Sequence, residues 1–198
     1  MCYNSTVSLT TFIFGCIIAL LAYYTNAIDY YIIIILLSFT SMQLLEFFAW
    51  TYYNNEKINK FLSILGLIII FIQIFLLNYY LPEKKESQIL LFLYFIFVIL
   101  FLIFQLPRVK FEMKRGKNKH LLWYWLDLPI IWIIIGLAFY LIPSYLSKYS
   151  IIFYFVLITL IISLYFYWKY KTWGSMWCYL SNIGWIIVFI KINLKIFH

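Results

Sequence analysis

Residues 61–80 read FLSILGLIIIFIQIFLLNYY, twenty positions without a single charge. At about 1.5 Å of rise per residue, such a run spans the ~30 Å hydrocarbon core of a bilayer as one helix. Comparable stretches recur at Val7–Tyr24, Tyr30–Tyr53, Gln88–Gln105, Leu122–Ile142, Ser150–Trp168 and Trp173–Ile190. Hydrophobic residues make up 66% of the 198 residues and charged residues 11%. A water-soluble domain of this size cannot hide that much apolar surface, so lipid is the expected solvent. Backbone amides in hydrocarbon must bond within a helix or close a barrel, and period-two alternation is absent. The expected fold is therefore all-α, an integral membrane bundle of seven transmembrane helices. It forms one unit over residues 1–198 with no soluble domain. The first stretch is too long for a signal-peptide core and is expected to remain as an anchor.

Charge gives the expected orientation. With the N-terminal side labelled A, seven crossings put ten lysines and arginines on A and five on the opposite side, B. Short loops rich in positive charge stay in the cytoplasm, so the N-terminus is expected there and the C-terminus outside or in a lumen. The net charge of +8 then reports topology and contact with anionic headgroups rather than nucleic acid. The longest connection carries the basic run Arg108, Lys110, Lys114, Arg115, Lys117 and Lys119. It is a determinant of orientation or a seat for anionic lipid. Asn4-Ser5-Thr6 is a glycosylation sequon, expected bare on the cytoplasmic side. Six tryptophans (Trp50, Trp123, Trp125, Trp168, Trp173 and Trp177) fall near side A, as an interfacial belt or as a ligand cage. Tyrosines such as Tyr23, Tyr24, Tyr30, Tyr79 and Tyr145 rim side B.

Polar residues inside the apolar runs are costly, by ~3 kcal/mol for a charge on insertion scales, and so point to function or to helix pairing. Thr40, Gln43, Glu46 and Trp50 recur at three- and four-residue steps and share one helix face. Asp127 precedes Leu128-Pro129. It lies either inside a kinked fifth helix or close to the N-cap of one that starts at Pro129. The last run opens WGSMWCYLSN, with Ser175, Trp177, Cys178 and Asn182 near its A end. Alternating helix direction brings Gln43, Glu46, Trp50, Asp127, Ser175, Trp177, Cys178 and Asn182 into the same half of the membrane. If the second, fifth and seventh helices touch, these residues form one polar pocket, with Gln73 deeper.

Several classes are excluded. The last helix lacks a mid-helix lysine for retinal. The histidines are only His120 and His198, so no zinc site is built on membrane histidines and a serine–histidine enzyme is unsupported. There is no phosphate-binding glycine loop and no three-helix repeat. No cofactor is implied. The three cysteines, Cys2, Cys16 and Cys178, have no pairing logic, and Cys2 is a candidate for acylation.

The segments SMQLLEFFAW (41–50) and GSMWC (174–178), with Asn182, resemble motifs in uncharacterised multi-pass membrane proteins of giant DNA viruses. The resemblance implies a membrane of the virion or infected cell. It implies no activity and carries over no catalytic residue. The leading expectation is binding or transport of a small polar solute, ion or lipid, with Glu46 as the ionisable centre and Gln43 and Asn182 as its partners. A structural or assembly protein is the second reading. A lipid-modifying enzyme using Glu46, Asp127 or Cys178 is the third.

Overall fold

A computed structural model describes residues 4–196; Cys2 and His198 lie outside the described residues. The elements run α1 (Ser5–Thr25), α2 (Tyr30–Thr51), α3 (Glu56–Tyr79), α4 (Lys84–Phe104), β1 (Met113–Arg115), β2 (Leu121–Trp123), α5 (Ile130–Leu146), α6 (Ser150–Tyr167), α7 (Trp173–Ser181) and α8 (Gly184–Ile196). The chain is all-helical apart from one short hairpin. Six helical stretches are long and apolar enough to cross a membrane, counting Trp173–Leu194 as one. The remaining apolar helix, α5, has only 17 residues. The expected fifth stretch therefore begins eight residues later than Leu122, at Ile130. Pro129 precedes it, where a missing N–H costs a helix nothing.

Asparagines set the helix ends. Asn4 Oδ1 accepts from the Val7 N–H at 2.9 Å, and Asn55 Oδ1 from the Ile58 N–H at 3.1 Å. The sequon residue Asn4 thus has a local structural use. Asn26 ends α1 in the left-handed region at φ 48°, and its N–H bonds back to Ala22 and Tyr23. Pro143 inside α5 cannot donate to the Phe139 carbonyl. Asn78 of α3 replaces that donor, its Nδ2 lying 3.2 Å from the Phe139 oxygen.

Helices α1 and α2 are antiparallel and tightly packed. Gly15 makes this possible: a Cβ there would lie 2.8 Å from Thr40 Cγ2 and from Trp185 Nε1. Among exposed positions, α4 and α6 present long rows of Ile, Phe and Tyr outward, as lipid-facing helices do.

Burial alternates with a period of two at one place where the sequence, LLWYW, is apolar or aromatic throughout. Leu121, Trp123 and Trp125 are all buried while Leu122 and Tyr124 are half-buried. This is the inner face of β2 and the short turn after it. Met113 pairs with Trp123 and Arg115 with Leu121. The hairpin is clamped from three sides. Asn59 of α3 takes both backbone groups of Met113, donating to its oxygen at 3.0 Å and accepting from its N–H at 2.8 Å. Ser175 of α7 donates to the Leu121 carbonyl, and Asn118 donates to Thr172. The connection expected as a loop is thus a plug across the A end of the bundle.

The last span is broken. Helix α7 stops at Ser181 and α8 starts at Gly184, and across the break Asn182, Ile183, Trp185 and Ile186 bond three residues back. Irregular backbone at membrane depth persists only where protein satisfies it or where it lines a cavity. Here Asn182 Nδ2 takes the Cys178 carbonyl at 2.7 Å.

Candidate functional site

The A half holds a polar centre beside an aromatic-walled cavity. Gln43 and Glu46 of α2 have no exposed surface, and Glu46 is close enough to Cys178 of α7 for an electrostatic interaction. Among the described residues Glu46 is the one fully buried carboxylate. Neither Gln43 Nε2 nor Gln43 Oε1 has a hydrogen-bond partner, and the same holds for the buried hydroxyls of Ser8 and Ser63. Since Gly15 packs on Thr40 and the helices run oppositely, Ser8 lies at about the height of Phe47 on α2. The indole N–H groups of Trp50, Trp123 and Trp125 are likewise buried without partners. A buried polar atom left without a hydrogen bond costs about 1–3 kcal/mol. Several in one half of a small bundle is a concentration that stability alone does not favour.

The cavity, of about 100 Å³, lies among α2, α3, α4, α5, α7, β2 and the turn after it. Five of the eight tryptophans line it: Trp123, Trp125, Trp132, Trp173 and Trp177. Its few polar members are Gln73 and Tyr140 at one end and Ser175 and Cys178 at the other. Gln73 is fully engaged, donating to the Ser38 carbonyl at 2.9 Å and accepting from the Tyr140 hydroxyl at 2.9 Å. Gly136 of α5 leaves part of the space, since a Cβ there would meet nothing nearer than Phe97 at 4.0 Å. Gly174, by contrast, is filled by Leu126. No lysine or arginine lines the wall.

The structure places Gln43 and Glu46 on one buried face of α2 with Glu46 in electrostatic reach of Cys178, and puts Ser175, Trp177 and Cys178, but neither Gln43 nor Glu46, on the cavity wall. Three expected members are placed otherwise. Asp127 is not inside a kinked helix; of the two expected placements it takes the one close to the N-cap of a helix that starts after Pro129, and its own N–H closes the short turn at Tyr124. It sits in the segment before Pro129, half exposed, with both carboxylate oxygens 2.8 Å from Lys171 Nζ. Asn182 serves the helix break rather than Glu46: its Oδ1 accepts from Thr40, whose hydroxyl oxygen accepts the Trp185 N–H at 2.7 Å. Trp50 lies at the A-side edge, half-buried under Arg115 with 5.9 Å between guanidinium and ring. Trp177 reaches the wall with its ring while its N–H donates to Thr159 at 3.2 Å.

The tryptophan belt needs the same correction. Trp123, Trp125, Trp173 and Trp177 are buried, and only Trp168 of the six is exposed. The tyrosines of side B do face outward, Tyr24 at 78% exposure and Tyr145 at 68%.

The basic run is less free than its composition suggests. Glu112 lies between Lys110 at 2.7 Å and Lys114 at 3.0 Å. These two ammonium groups hold its carboxyl below the usual glutamate range, and Glu112 raises the Lys114 pKa in return. Arg108, Lys117 and Lys119 are exposed and in no ion pair among the described residues.

No group of three or more His, Cys, Asp or Glu among the described residues is placed to hold a metal ion. Comparison with known protein families, with curated proteins and with solved structures returned no match.

Proposed function

We propose that this protein is a membrane receptor or carrier for a small amphiphile. The amphiphile's apolar body occupies the tryptophan-lined cavity, and its polar head reaches Gln43 and Glu46 past Cys178. The observation that carries this is the pairing of two features: five indoles around one cavity, and, next along α2 from its wall residue Met42, a buried amide with no protein partner. Ligand sites are mostly apolar and hold a few polar groups that fix orientation. A carboxyl at the centre and no cation on the wall suit a hydroxyl or ammonium head rather than an acidic one.

Under this reading α5 crosses the membrane as a seventh helix, its ~26 Å reaching close to the hydrocarbon thickness. The N-terminus and the hairpin then face the cytoplasm, and Arg108, Lys117 and Lys119 meet anionic headgroups. A second reading, a purely structural bundle, draws support from the Thr40–Asn182–Trp185 network, which ties α2 to the broken last span.

The test is photolabelling in proteoliposomes with a long-chain alkyl amine carrying a terminal diazirine, and with the matching carboxylic acid. The expected result is saturable labelling by the amine around Trp132 and Trp173, reduced by Glu46→Gln and abolished by Gly136→Phe. Equal labelling by amine and acid, confined to outward residues such as Phe92 and Ile103, sinks the proposal and leaves the structural reading.

A further inference from the structure

A second cavity, of about 200 Å³, opens in the B half among α2, α3, α5, α6 and α8. Phe39 belongs to the walls of both cavities and separates them. The wall of the B-half cavity includes the small residues Ser144, Ser147, Ser181 and Gly184. It is otherwise aliphatic and aromatic.

Two features identify what fits. First, the cavity is open sideways. Helix α8 packs chiefly on α1, and α6 on α5 and α7, so the two diverge. Ile151 of α6 and Ile187 of α8 both line the cavity and are outwardly exposed, at 62% and 43%. A slot between two outer helices faces acyl chains, not water. Second, the mouth carries net positive charge. Asp29 accepts from the Tyr149 hydroxyl at 2.9 Å and lies 3.9 Å from Lys148, so that lysine is already balanced. Lys191, at the B end of the last span, lines the cavity and is in no ion pair among the described residues. A lysine at a span end lays its stem along apolar surface and keeps its ammonium at headgroup level.

We propose that this slot holds one acyl chain of an anionic phospholipid from the surrounding bilayer. The chain tip lies towards Phe39 and the lipid phosphate pairs with Lys191. The site is independent of the amphiphile site in the A half, because it shares no polar residue with it and selects the opposite charge.

Native mass spectrometry tests it. The full chain is purified from nanodiscs of mixed phosphatidylglycerol and phosphatidylcholine, and the lipid retained per chain is counted. The expected result is one phosphatidylglycerol per chain, preferred over phosphatidylcholine by roughly tenfold. Lys191→Gln removes that preference, and because the residue is exposed this variant does not threaten folding. Ile152→Trp, which fills the slot, removes retention of both lipids. Indifference to headgroup in the wild type, or unchanged retention in Lys191→Gln, overturns the proposal. Amine photolabelling in the A half is unaffected by either variant, so failure here and failure of the proposed function are told apart.

Discussion

Two buried amides, Gln43 and Asn78, lie in opposite halves of the bundle and are used in opposite ways. Both have no exposed surface. In the B half, Asn78 Nδ2 reaches the Phe139 carbonyl that Pro143 leaves open, and also its own helix at Ile74. Its donor end is structural, as those partners show, while its Oδ1 is buried without a hydrogen-bond partner. In the A half, Gln43 differs in that neither end of its amide has a hydrogen-bond partner. Hydrocarbon makes the distinction sharp. A polar group that bonds across helices holds a membrane bundle together, whereas one that bonds nothing costs stability and so marks where something else is accommodated.

The contrast is open to attack by mutation, beginning where the effect is largest. Asn59→Leu strands the buried N–H and carbonyl of Met113 and should destabilise the protein by about 2–5 kcal/mol. It should also free the hairpin, which a red shift of Trp123 and Trp125 fluorescence would report. An unshifted spectrum would mean that the clamp is dispensable and the A end is not a built plug. Next, Gly66→Ala places a Cβ 2.9 Å from Trp123. It should cost about 1–3 kcal/mol in thermal unfolding, because the buried indole must shift to admit the methyl group.

The direct comparison follows. Asn78→Leu should lose about 1–3 kcal/mol, since the Phe139 carbonyl then has no donor. Gln43→Leu should be neutral or stabilising by about 1 kcal/mol while amine labelling falls. Equal losses from both would remove the difference between the halves. Lys171→Ala breaks an exposed pair with Asp127 and should change stability by less than ~1 kcal/mol, with no effect on labelling. A marked loss of labelling would return Asp127 to the site.

The smallest effect is in pH. The Glu112 carboxyl is held below its ordinary value by Lys110 and Lys114, so the folded pKa is below the unfolded one. Its contribution is complete above ~4.3, the ordinary glutamate value, and is lost as pH falls through the lower folded value. Acid unfolding of Glu112→Gln should therefore be flatter than wild type in that window and the same above it.

How much was legible follows from what each signal measures. Hydropathy finds helices that lie in lipid, and it placed all six long ones to within a few residues. It misjudged the start of α5 because Leu121, Trp123 and Trp125 are as apolar as a helix yet belong to a strand and a tight turn. The alternation over residues 121–125 is one of burial, which LLWYW, apolar or aromatic throughout, does not show in its hydropathy. The face shared by Gln43 and Glu46 was readable from helical spacing, and so was the approach of Cys178 from the direction of successive spans. Asp127 and Asn182 were misassigned for a different reason. A polar residue near an apolar run looks the same whether it faces a pocket, pairs with Lys171 or repairs a helix break. Only three-dimensional partners separate those cases. The tryptophans share this ambiguity, because an indole suits an interface and a cavity wall equally well.

A crystal structure of the protein grown from a lipidic phase, with the long-chain amine present, addresses the central claim most directly. The account predicts one elongated ligand running from the Trp132 side of the cavity towards Cys178, with its head within hydrogen-bonding distance of Gln43. Side chains collapsed into the cavity, with Gln43 bonded to a neighbouring helix, would contradict it.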